Sequence, residues 1–152
     1  MREILFRGKT SDGEWVEGFY SAEEYNPYIG KIEYIPRIQI IGKCVSLGVI
    51  PETVGQYTGL TDKNGVKIFE GDIVKGIAYS VERIGVIVWI DEIASFGVRY
   101  FKRQDPTAWE NSSILRCASM GKTDEFAAEI IGNIHDNPRL LEGGGVNESD
   151  PL

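Results

Sequence analysis

The chain has one histidine, two cysteines, no excess of positive charge and no apolar run longer than a strand. Each shortage removes a class of function. Nucleophilic triads need a histidine to shuttle the proton, and zinc sites draw on several His or Cys ligands. His135 alone builds neither; His135-Asp136 could orient a proton acceptor, but no serine or cysteine is tied to the pair, and a surface histidine at a strand end is the plainer reading. Cys44 and Cys117 lie far apart in apolar surroundings and are expected to be buried free thiols. The longest apolar run, residues 86–90, falls far short of the roughly 18 residues of a membrane span. Arg2, Glu3, Arg7 and Lys9 interrupt any secretory signal at the start of the chain. The expectation is a cytoplasmic protein with no membrane partner. Lys and Arg number 16 against 23 Asp and Glu, so the formal charge of −7 disfavours wholesale binding to polyanions.

What the chain does have is glycine, 18 of them, set among β-branched residues. Short apolar stretches separated by Gly, Asn, Asp and Pro read as strands and turns. Strands are predicted at residues 4–7, 15–20, 37–41, 54–57, 73–79, 84–91, 97–101 and 129–134. Helical signals are confined to a short turn after Thr123 and another opened by Pro138. Asn64-Gly65, flanked by apolar residues, predicts a tight reverse turn joining 57–60 to 66–69. The nearly all-apolar run 85–90 predicts a central strand buried on both faces. The architecture expected is mainly β with at most short helices. It comprises an N-terminal β subdomain at 1–50, a small SH3-like barrel at 51–141 and a flexible tail at 142–152.

Several motifs fail on their own chemistry. Gly8-Lys9-Thr10 and Gly121-Lys122-Thr123 resemble the end of a phosphate loop, but the glycine needed five positions earlier is Glu3 or Arg116. Asp62-Lys63-Asn64 resembles the start of a calcium loop, yet the sixth and twelfth positions hold Lys67 and Ile73. Glu70, Asp72, Asp91 and Glu92 sit near strand ends, where spacing cannot establish a catalytic carboxylate pair, and Asp72 suits a turn amide better. No catalytic residue, metal site or cofactor is expected.

Two stretches remain as contact candidates. Arg99, Tyr100, Lys102 and Arg103 combine cations with an aromatic ring, as single-stranded nucleic-acid sites do, and residues 99–122 hold five basic against two acidic residues. Strand alternation would nevertheless turn one of Tyr100 and Phe101 into the core. Tyr20, Tyr25, Tyr28 and Tyr34 crowd the first third of the chain, where tyrosine offers rigid contact area with a polar tip. They read as an interface or as the rim of a small core.

Arg2-Glu3-Ile4-Leu5-Phe6-Arg7-Gly8-Lys9 and Trp15-Val16-Glu17-Gly18-Phe19-Tyr20 resemble the opening blocks of the YopX-like proteins of bacteriophages and prophages. The most specific match is Pro51-Glu52-Thr53-Val54-Gly55-Gln56-Tyr57-Thr58-Gly59-Leu60, continued by Asp62-Lys63-Asn64-Gly65 and Ile68-Phe69-Glu70-Gly71-Asp72-Ile73-Val74. Glu129-Ile130-Ile131-Gly132-Asn133-Ile134-His135-Asp136-Asn137-Pro138 fits the closing block, with His135 where an aromatic is more usual. The resemblance implies a small, phage-encoded, mainly β, oligomeric protein and brings no catalytic residue with it.

The function expected is therefore a non-enzymatic interaction module that associates with itself in the host cytoplasm. The alternative is a nucleic-acid-associated small barrel, or an acidic nucleic-acid mimic that occupies a host protein.

Overall fold

The structure, a computed structural model, describes residues 3–28, 30–78, 81–102, 105–113 and 128–141. Arg103, Cys117, the turn expected after Thr123 and the tail at 142–152 lie outside the described residues. The fold is mainly β. Its strands are β1 (Phe6–Lys9), β2 (Trp15–Tyr28), β3 (Lys31–Ile40), β4 (Ser46–Gly48), β5 (Gly55–Thr61), β6 (Lys67–Phe69), β7 (Asp72–Ala78), β8 (Val81–Ile90), β9 (Ser95–Lys102), β10 (Asp105–Ser113) and β11 (Glu129–Asn133). Short 3-10 turns occupy Pro51–Thr53, Asp91–Ile93 and Pro138–Leu141. The strands form two sheets, ordered β4-β3-β2-β1-β5-β6 and β10-β9-β8-β7-β11. The chain divides into two compact units, Met1–Gly59 and Leu60–Leu152.

In the first unit β1 lies between β2 and β5, with Phe6 opposite Gly18 on one side and Gln56 on the other. Pro51 opens its 3-10 turn without wasting an amide, since the first amides of a helical turn have no internal acceptor. Thr53 then locks that turn to β1. Its hydroxyl donates to Ile50 O at 2.7 Å and accepts from Lys9 N at 2.8 Å. Leu5 and Ile38 are fully buried, and Val49 and Tyr57 are nearly so.

In the second unit β7, β8 and β9 form an antiparallel meander, with Ile73 opposite Val86 and Ile87 opposite Val98. Ile68, Val74, Ile87, Phe96, Val98 and Tyr100 pack with Ala128 into one buried cluster. Val86 and Ile90, on the opposite face of β8, are also buried, so the middle of the strand is covered on both faces; Trp89, in the same run, is 42% exposed, a departure from the fully buried strand expected. The described register establishes a five-stranded antiparallel sheet; the SH3-like barrel remains an expectation.

The turn at 62–65 differs from a two-residue Asn-Gly hairpin. Gly65 N donates to Asp62 O at 2.9 Å, and only Gly65, at φ 79°, takes the left-handed conformation. This places the glycine after the bend, as in a three-residue hairpin with a bulge. Asp62 Oδ1 accepts the amides of Asn64 at 2.8 Å and Val66 at 3.0 Å, so the turn is tied from within.

Cys44 is exposed, a correction to the buried thiol expected from its apolar neighbours. Those neighbours, Ile41 and Val45, flank the β3–β4 connection and are themselves exposed at 48% and 43%. A connecting turn keeps its polar backbone in water and carries its side chains with it.

Candidate interaction surface

β2 and β3 run on together after their neighbours stop. β1 pairs with β2 only over Trp15–Gly18, and β4 pairs with β3 only over Arg37, Ile38 and Gln39. Beyond them the register continues through Ala22 opposite Pro36, Glu24 opposite Tyr34, and Tyr25 opposite Glu33, with a bulge before Tyr28 meets Lys31. This two-stranded arm has no third strand among the described residues. Every residue from 21 to 35 whose burial is described is exposed.

The arm is rooted firmly. Arg37 Nη1 meets Glu23 Oε2 at 2.9 Å, while Nη2 donates to Ser46 O at 2.6 Å and Nε to Ser46 Oγ at 3.2 Å, so one guanidinium joins β2, β3 and β4. At the same root Gly18 lets the strands close, because a Cβ there would lie 1.9 Å from Gln39 O. Tyr20 packs its ring 5.3 Å from Phe6. Further out the tyrosines have little cover: Tyr25 is 50% exposed, Tyr28 75% and Tyr34 67%.

Residues directly opposite in an antiparallel pair share a face. Tyr25 and Ile35 therefore occupy one face with Glu23 and Glu33, and Tyr34 and Ile32 occupy the other with Glu24. Neither face is purely polar.

Three of the four interface tyrosines proposed from the sequence thus lie on the arm, and Tyr20 lies at its root. Sequence reasoning missed the arm itself, ending its strands at 20 and 37. Ala22, Glu23 and Glu24 are poor strand formers, and Pro27 and Pro36 remove ladder amides. Pairing across the hairpin overrides both. The one available signal was the count of aromatic and β-branched residues between 19 and 35.

The basic candidates are placed differently. Arg99 is exposed on β9. Tyr100 is 5% exposed and belongs to the buried cluster, opposite Gly85. Lys102 ends β9, paired with Asp105. Arg99 and Tyr100 therefore point to opposite faces, and the Tyr100 ring is not presented for stacking on a base.

Polar groups elsewhere serve the fold. Asp72 is buried and accepts Phe69 N at 2.8 Å. Asp62 Oδ2 accepts Ile130 N at 3.1 Å, and Lys63 N donates to Ala128 O, so the β5–β6 turn holds the start of β11 from 68 residues away. Burial alone would raise the Asp62 carboxyl. The amides of Val66, Ile130 and Asn64, with the Asn64 side chain, outweigh it and hold the carboxyl below its ordinary range. His135 N donates to Asn133 Oδ1 in the turn after β11. Among the described residues no group of three or more His, Cys, Asp or Glu is placed to hold a metal ion, and no helix is long and apolar enough to cross a membrane.

A family model described as YopX protein matches residues 5–142. A solved structure, the crystal structure of protein EF1440 from Enterococcus faecalis, is 27% identical over 93% of this chain and 99% of its own, with a TM-score of 0.47. No curated protein matches the chain. The chain belongs to the YopX family.

Proposed function

We propose that this YopX-family chain is a non-enzymatic interaction module of phage origin, which associates with copies of itself in the host cytoplasm through the β2–β3 arm. One observation carries the reading: a two-stranded ribbon with large apolar side chains stands uncovered beyond its sheet. An isolated two-stranded hairpin is marginal in water, and it becomes ordered when something packs on it. At their exposures Tyr25, Tyr28, Ile32, Tyr34 and Ile35 offer roughly 500–700 Å² of accessible surface. A standard stable interface buries about 800 Å² per partner, so the arm supplies most of one.

The test is the mass of the purified full chain by light scattering at micromolar concentration. Self-association predicts an oligomer for the native chain and a smaller species for Tyr25→Glu/Tyr34→Glu, with the strand content unchanged by circular dichroism. A strict monomer for the native chain would sink the reading.

A further inference from the structure

A strand pair that docks through one face carries its apolar residues on that face and its charges on the other, because side chains alternate. The arm does not follow this division. One face presents Tyr25 at 50% and Ile35 at 37% exposure, set diagonally across the strands. The other presents Tyr34 at 67% and Ile32 at 55%, two residues apart on β3. Carboxylates are likewise shared, Glu23 and Glu33 on the first face and Glu24 on the second. A single flat contact would leave a tyrosine and an isoleucine in water whichever face it covered.

We propose that the arm is an intercalating element, covered on both faces at once by a single second copy of this chain. The inference rests on the self-association reading and adds that each copy is gripped through two distinct arm surfaces. The area supports it. Either face alone supplies well under the roughly 800 Å² per partner of a stable interface, whereas the two faces with Tyr28 approach it. The consequence is an assembly in which the two faces are separately necessary.

The experiment is solvent labelling of tyrosine in the full-length protein, followed residue by residue by mass spectrometry, at concentrations above and below assembly. Tyr25 reports one face and Tyr34 the other. The expected result is a several-fold loss of labelling at both residues on assembly, with Tyr100 unlabelled throughout because it is buried in the core. Tyr25→Ser/Ile35→Ser and Ile32→Ser/Tyr34→Ser are each expected to lower the mass without changing the unfolding midpoint measured below the assembly concentration. Protection of only one of the two tyrosines, or an unchanged mass for one of the two paired variants, overturns the two-face proposal while leaving self-association standing. A native chain that is monomeric removes both. Protection that arises only on adding host extract assigns the arm to another partner and overturns the proposal as well.

Discussion

The β2–β3 arm and the β7–β8–β9 meander draw on the same kinds of residue and meet opposite ends. In the meander, Val74, Ile87 and Val98 are fully buried, because each strand has a neighbour and the sheet face packs against Leu60, Ile68 and Ala128. In the arm, isoleucine and tyrosine at comparable spacing remain 37% to 75% exposed, because among the described residues no third strand pairs with it. Hydrogen-bond register alone makes a strand. Burial requires a third strand and a second layer, neither of which the described residues give the arm.

The comparison is broken most severely from the meander side. Ile87→Ala removes a fully buried side chain from the centre of the cluster and is expected to cost about 3 kcal/mol, read as a lower urea midpoint. A loss near zero would mean that the cluster is not the stabilising core. At the arm root, Gly18→Ala pushes a Cβ into Gln39 O and is expected to cost about 2 kcal/mol, with early proteolytic cleavage between residues 19 and 36 as its local signature.

Asp62→Asn ranks third. It replaces a charged acceptor that serves three amides and is expected to cost about 1.5 kcal/mol. The pH dependence has a definite sign. The folded carboxyl titrates below its unfolded counterpart, so its contribution is complete above the ordinary carboxylate range and disappears as pH falls through the lowered folded value. Acid unfolding of the native chain should therefore be steeper than that of the Asn variant, and parallel curves would contradict the assignment.

Tyr34→Ser is expected to change the stability of the isolated chain by less than about 0.5 kcal/mol, since the ring is 67% exposed, and, under the self-association proposed above, to reduce the mass read by light scattering. That pairing of a silent fold effect with a large association effect is the sharpest contrast between the two regions.

Much of the β architecture was readable in the residues. All eight predicted segments lie on or overlap observed strands, and Pro138 opens a short turn through Leu141 as expected. β10 was missed because Asp105, Pro106 and the polar run from Glu110 to Ser113 carry no strand signal of their own; pairing with β9 creates it. The outer arm was missed for the same reason. Of the candidate contacts, the tyrosine group was legible as a cluster but not as a two-faced ribbon, and Tyr100 was visible only as half of an either-or with Phe101.

Composition and local pattern determined that this chain is built of short strands and glycine turns, because turn chemistry and alternation act between near neighbours; its place among the YopX proteins was carried by the resemblance of whole sequence blocks and the family match over residues 5–142. Only the tertiary structure decided which strands gain a third partner, which tyrosine enters the core, and that Asp62 holds Ile130, 68 positions further along the chain. Those outcomes depend on contacts between residues distant in the chain, whose energies no local stretch contains.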